Sequence, residues 1–285
     1  MVAPAFEYVA AGSYDEAVRL LAAGNKAGGD EAKILAGGQS LMPVLNLRLA
    51  HPGLLIDINP ADQRPPALED GLLRLPALTR HRVLLEDPMV RRHCPLLADA
   101  VRHVGNVRVR NRGTIAGSLA HADPTSEIGC CALASGARVV VRGPDGERTV
   151  PASDLFAGYW ATTLSAQEII TDVLIPAARP RQGWSFQEMV RRTSDFAIVA
   201  VAAIFNLAER TGDPASATVA LAGVADRVVL AGPELITDDP DESAARIAET
   251  LDPPDDVHAS GAYRRRLARV LTARALREAS ARAAV

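Results

Sequence analysis

Hydrophobic and polar positions alternate along the chain in short runs with two different periods. Ser13-Tyr14-Asp15-Glu16 sets a hydroxyl cap three residues ahead of a glutamate, a capping box, and predicts an amphipathic helix through Leu20 and Leu21 to Ala23. Residues 24–30 read as a polar, glycine-rich turn, and 33–36 as a short buried strand ended by Gly37-Gly38. A helix over about 41–49 follows, with Pro43 tolerable in its first turn. Residues 54–58 predict another strand, and 62–69, with Pro65-Pro66, a surface connection.

The alternation continues from Leu72. Thr79 can cap a helix holding Val83, Leu84 and Leu85, and 96–104 has helical spacing. Asp123-Pro124 predicts a helix start, an acceptor followed by proline at the first helical position; that helix should run through Cys130 and Leu133 to a stop at Gly136. Residues 137–142 and 147–151 predict a hairpin around Gly143-Pro144-Asp145-Gly146. Rich in proline, arginine and glycine, 177–183 is the best domain boundary. Beyond it, 184–190 and 218–230 are strand-like, and 263–284 is a long helix with many arginines on one face. That face reads most simply as solvated, or else as a docking face. Strands and helices mix without a regular βαβ period, which argues for an α+β fold over a doubly wound sheet.

A length of 285 residues is enough for about two domains. The net charge of −3 gives no basic face of the kind a nucleic-acid partner needs. The first residues show no cationic start before an apolar run, so no secretory signal is expected. No window approaches the roughly 18 apolar residues of a membrane span. Cys94, Cys130 and Cys131 lack the CxxC spacing of a zinc or iron–sulfur site and predict reduced thiols without metal.

Two glycine turns carry the chemistry. In Ala36-Gly37-Gly38-Gln39-Ser40, glycines between a strand and a helix start allow close backbone approach, free N–H groups point at negative charge, and Ser40 adds a donor. Taken alone, this reads more readily as a tight turn without ligand, and it is neither a GxGxxG fingerprint nor a Walker A loop. Arg110-Asn111-Arg112-Gly113-Thr114-Ile115-Ala116-Gly117-Ser118 is a second turn of this kind, with hydroxyls at Thr114 and Ser118. Downstream, 121–127 places His121, Asp123, Thr125, Ser126 and Glu127 near a helix start. Two such turns in one domain suit a pyrophosphate held between them.

Through these stretches the chain resembles the flavoprotein subunits of molybdenum hydroxylases, the medium subunits of aerobic carbon monoxide dehydrogenase and the FAD segment of xanthine dehydrogenase. The resemblance extends through Glu168-Ile169-Ile170-Thr171, Arg191-Arg192-Thr193-Ser194-Asp195-Phe196-Ala197 and Tyr263-Arg264-Arg265-Arg266-Leu267. It implies an α+β fold with a vanillyl-alcohol-oxidase (PCMH-type) FAD-binding domain over 1–176, in lobes of about 1–58 and 59–176. A C-terminal α+β domain of the carbon monoxide dehydrogenase flavoprotein type, 184–285, completes the chain.

Carried over by this resemblance, Ala36, Gly37, Gly38, Gln39 and Ser40 would wrap the FAD pyrophosphate, with Lys33, Leu35 and Leu41 flanking. Thr114, Ile115, Gly117 and Ser118 would close the other side. Asp123 and Glu127 would approach the ribityl and ribose hydroxyls, with His121 beside them; Asp123 could equally be a helix cap. Val104 and Gly105 would lie beside the adenine end or the ring, and Ile169 and Ile170 would present backbone and apolar surface. Phe196 would cover a face of the isoalloxazine or be an ordinary core residue. Where some relatives carry a lysine near the flavin pyrimidine, Gln187 stands.

The resemblance further implies an oxidoreductase subunit that carries FAD and electrons but no catalytic residue of its own. A large subunit would hold the molybdopterin cofactor and a small one the [2Fe-2S] clusters, assembled as a dimer of heterotrimers. The external acceptor would be quinone, NAD or oxygen. The complex would be cytoplasmic, touching the inner face of the membrane only through partners. Two other readings stand beside it: a stand-alone FAD oxidoreductase using His103 or His121, and a non-redox module whose glycine turns are only turns.

Overall fold

The computed structural model describes residues 3–25, 32–207 and 215–285; most of the turn expected at 24–30 lies outside them. β1 (Glu7–Ala10), α1 (Tyr14–Gly24), β2 (Ala32–Leu35), α2 (Leu41–Asn46) and β3 (Leu54–Asp57) build the first layer, a parallel sheet of order β1-β3-β2. Ser13 caps α1 as its capping box predicts, its hydroxyl accepting from Glu16 N. α1 buries Ala17, Val18 and Leu21. α2 ends at Asn46, short of the expected 49.

Next come β4 (Ala67–Glu69), β5 (Leu72–Pro76), α3 (His81–Glu86), α4 (Pro88–His93), α5 (Pro95–Ala100), α6 (Val107–Arg112), α7 (Ile115–His121) and α8 (Glu127–Ala134). They are followed by β6 (Arg138–Gly143), β7 (Gly146–Pro151), α9 (Ala152–Leu155), β8 (Phe156–Gly158), β9 (Ala161–Thr162) and β10 (Ile169–Pro176). Their antiparallel sheet has the order β4-β5-β10-β6-β7. The β6–β7 hairpin turns as expected, with Gly143 opposite Gly146. Three expectations are corrected. Part of the supposed surface connection, Ala67–Glu69, pairs with β5 as an edge strand. Thr79 is no helix cap: it is buried at the end of a turn after β5, its N–H donating to Pro76 O and its carbonyl accepting from Ile115 N, and Arg80 stands at the N-cap of α3. Nor does Asp123 start a helix, because α8 begins at Glu127 under the Ser126 hydroxyl.

β11 (Gln182–Met189), β12 (Val199–Asn206), β13 (Ser216–Ala222), β14 (Val229–Leu230), α10 (Pro240–Thr250) and α11 (Gly261–Ala283) form the last unit, an antiparallel sheet of order β11-β12-β13-β14. The strand-like run at 218–230 is therefore two strands joined by a turn. α11 lies so close on β11 that a Cβ at Gly183 would stand 1.8 Å from Ala279 O, and only a glycine permits this contact. The arginine face of α11 is not wholly solvated: Arg264 is 4% exposed and donates to the carbonyls of Ile198 and Gly223 and to Asp256.

The opposite face of this sheet meets the second layer. Trp184 Nε1 donates to Asp99 at 2.8 Å, Cys130 Sγ to Ala220 O at 3.2 Å, and Gly223 N to Pro124 O at 2.8 Å. All three cysteine thiols are free and buried. No described helix is long and apolar enough to cross a membrane.

Candidate functional site

The two glycine turns touch backbone to backbone. A Cβ on buried Gly37 would lie 2.3 Å from Arg112 O and 2.9 Å from Gly113 Cα. Gly38 has φ +71°, a conformation that favours glycine. The turn is shaped by Gln39 Nε2 donating to Gly37 O at 3.1 Å and by Met42 N donating to Gly38 O at 3.0 Å. Among the described residues, none accepts from the N–H groups of Gly38, Gln39 or Ser40, and the Ser40 hydroxyl makes no cap bond. Leu41 opens α2, while Lys33 and Leu35 lie half-buried on β2.

The second turn joins two helices rather than a strand and a helix. Gly113 and Thr114 link α6 to α7, and Thr114 Oγ1 caps α7 by accepting from Gly117 N at 3.1 Å. The segment that follows β5 holds this turn: His81 N donates to Gly113 O at 3.0 Å, and Ile115 N to Thr79 O at 3.0 Å. The next link is Ala116 N to Ala77 O at 3.3 Å. His81 is 2% exposed, with Nε2 at 3.2 Å from Thr114 O and 3.1 Å from Ser118 Oγ. Burial pulls its pKa down to about 4, so the ring is neutral at physiological pH. Because the Thr114 carbonyl can only accept, Nε2 carries the proton, which leaves the Ser118 hydroxyl hydrogen available to another acceptor.

Arg80 and Asn59 bridge the turns. Asn59 Nδ2 donates to Ala36 O at 2.9 Å in the first turn; Arg80 donates through one Nη to Asn59 Oδ1 and through the other to Arg112 O in the second. Asp57 Oδ1 holds Asn59, accepting from its backbone N at 2.8 Å. The sequence reading missed Asn59, Arg80 and His81. A trace of each was there, a polar residue directly after a strand or an apolar run, but nothing local tied it to either glycine turn.

The remaining expected residues divide into those brought together and those set apart. Asp123 organises a turn, its Oδ1 accepting from Thr125 N at 2.8 Å and from Thr125 Oγ1 at 2.6 Å. His121 ends α7, and burial lowers its pKa. Glu127 opens α8, and burial raises its carboxyl to about 7, with Glu188 and Asp123 adding to the rise and His103 opposing it. His103 Nδ1 sits 3.0 Å from Glu188 Oε2. Beside it, the carbonyls of Val104 and Gly105 accept from Arg110 Nη1 at 2.9 and 3.0 Å.

Ile169 and Ile170 are 5% and 4% exposed, so their side chains belong to the core, and both pair with β6 at the start of the central strand β10. Phe196 is not a core residue, being 77% exposed on the loop between β11 and β12. Gln187 turns away from the second layer to donate to Glu278 on α11 at 2.7 Å; its neighbour Glu188 faces His103 instead. The side chain that β11 points toward the second layer there is a carboxylate, not a cation.

A family profile for the FAD binding domain in molybdopterin dehydrogenase matches residues 4–178, and one for the CO dehydrogenase flavoprotein C-terminal domain matches 184–279. The chain belongs to this family: it is the FAD subunit type of the molybdenum hydroxylases and part of an oxidoreductase. It is 37% identical to the nicotine 6-hydroxylase medium subunit of Paenarthrobacter nicotinovorans, over 99% of this chain and 100% of that one. The structure matches carbon monoxide dehydrogenase from Hydrogenophaga pseudoflava with a TM-score of 0.92 at 34% identity, covering 99% of both chains. Quinoline 2-oxidoreductase from Pseudomonas putida 86 matches with a TM-score of 0.91 at 33% identity over 100% of both chains.

The residues present fit FAD. Only a glycine at 37 lets the two turns meet, and beside that contact stand the backbone N–H groups of Gly38, Gln39 and Ser40 and the Ser40 and Ser118 hydroxyls, donors suited to phosphate.

Proposed function

We propose that the chain is the electron-relay subunit of a three-component molybdenum hydroxylase. Electrons would enter from [2Fe-2S] clusters on a small partner, drawn from a molybdenum cofactor on a large one, and leave to quinone, NAD or oxygen. The assembly would be a dimer of heterotrimers in the cytoplasm. FAD supplies the step between one-electron and two-electron carriers, while the chain binds, orients and shields it. The backbone contact between the glycine turns, with free N–H groups at its rim, is the observation that carries this reading.

Each expected contact then has a task. Ala36 to Ser40, flanked by Lys33, Leu35 and Leu41, and Thr114, Ile115, Gly117 and Ser118 opposite, hold the pyrophosphate. Asp123, Glu127 and His121 meet the sugar and ribityl hydroxyls. Val104, Gly105 and the backbone of Ile169 and Ile170 line the remainder, and exposed Phe196 covers the ring and excludes water. We place the boundary between the FAD-binding and C-terminal domains at 177–183. The relatives' names carry nicotine, quinoline and carbon monoxide on one shared subunit fold, which supports a substrate pocket located on the large partner.

The test is anaerobic. Purified alone, the chain should be yellow and release FAD on denaturation, and small-molecule substrates should leave its flavin band unbleached. With the partner subunits added, the substrate of the complex should bleach it. Bleaching by substrate without partners would favour a stand-alone oxidoreductase, and a colourless protein that takes up no FAD would refute both.

A further inference from the structure

Each glycine turn is closed by its own bonds, and the contact of Gly37 with Arg112 limits how near the two can come without tying them together. The only side chains bonded to both, directly or through one neighbour among the described residues, are Arg80 and Asn59. The path runs from Ala36 O to Asn59 Nδ2, from Asn59 Oδ1 to Arg80, and from Arg80 to Arg112 O. Both ends are backbone carbonyls, so the path acts on the main chain of the turns. Asn59 is held from below by Asp57, which also accepts from Tyr8 OH at 2.6 Å. The planar guanidinium is suited to this role, since its fork addresses two acceptors at a fixed angle.

The electrostatics agree. Burial works against the charge of Arg80, as do the neighbouring Arg112 and Arg82, and among the groups acting on it only Asp57 favours it. Arg80, Arg82 and Arg112 against Asp57 leave the junction with excess positive charge. A phosphate placed there relieves a repulsion that the protein otherwise bears.

We propose that Arg80, paired with Asn59, is a positioning residue for FAD that holds the two glycine turns at the separation a pyrophosphate needs. This rests on the assignment of the pyrophosphate to those turns. The Arg80–Asn59 bridge acts through the backbone of Ala36 and Arg112, and it lowers the cost of ordering the cradle before FAD arrives.

The full chain, stripped of FAD, is titrated with FAD by flavin fluorescence as wild type, Arg80→Met, Asn59→Ala and the double variant. The temperature is one at which circular dichroism shows every apo form folded. Each single variant should weaken FAD binding by roughly 10- to 100-fold, the loss of one or two charge-assisted bonds. The double variant should be no weaker than the worse single, because both break one path. The affinity of Arg80→Met should also depend less on salt than that of wild type. Unchanged affinity with only a lower apo melting temperature would make the pair merely structural and overturn the proposal, as would losses that multiply in the double variant. Failure of the wild type to take up FAD would instead overturn the cradle assignment, and the proposal with it.

Discussion

Gly37 and Arg112, on separate turns of separate layers, are in backbone contact: a Cβ on the first would stand 2.3 Å from the carbonyl oxygen of the second. The glycine is therefore required by the neighbouring turn itself. Gly37→Ala should force the turns apart, cost roughly 1–3 kcal/mol as an overpacked site, and lose FAD together with stability. Gly38→Ala meets only side chains, at 3.3 Å, and bears mainly the strain of φ +71°, about 1–2 kcal/mol. Melting curves with and without FAD distinguish the two. Equal behaviour of Gly37→Ala and wild type would contradict the contact.

Glu127 has a folded pKa of about 7, raised by burial above its ordinary value of 4.5. The folded protein keeps this proton after the unfolded chain has lost it. Stability from this group is thus full below pH 4.5 and is lost as pH rises through 7. Glu127→Gln should match wild type near the acid end and become more stable by up to about 3 kcal/mol above neutrality. Glu188, Asp123 and His103 act on this carboxyl, so the comparison is made in the otherwise unchanged protein. A stability gap that does not vary with pH would sink the prediction. Weaker FAD binding by the variant would support the proposed contact with the cofactor hydroxyls.

His81 titrates in the opposite sense. Its pKa is depressed by burial to about 4, so its contribution is intact above 6.5 and lost as pH falls through 4. Chemical denaturation of wild type and His81→Gln between pH 7 and pH 4 (a range spanning roughly both values) should converge toward the acid end. Parallel curves would show that the ring is not desolvated.

Phe196 contributes little to folding at 77% exposure. Phe196→Ala should shift stability by less than about 0.5 kcal/mol while changing flavin fluorescence and the rate of reoxidation by the acceptor. A large loss of stability with an unchanged flavin would reverse the proposed role.

Arg264 is buried beneath α11 with two main-chain carbonyls and Asp256 as acceptors. Arg264→Met should cost roughly 2–4 kcal/mol through acceptors left unpaired in a dry site, read from urea unfolding. A neutral result would place the side chain in water.

Local chemistry made much of this protein legible from its residues. The capping box placed α1, the hairpin around Gly143 to Gly146 formed as read, and both glycine turns with their hydroxyls were found, because each signal lies within a few neighbouring residues. The errors came where a distant partner outweighs a local preference. Asp123-Pro124 has the form of a helix start, yet Asp123 closes a turn instead, while Pro124 O accepts from Gly223, just beyond β13. The arginines of α11 look alike in one dimension, and packing alone separates buried Arg264 from its exposed neighbours. The roles of Asn59, Arg80 and His81 were missed for the same reason: a hydrogen bond between residues remote in sequence has no local pattern, and it exists only once the layers that carry its two ends have packed.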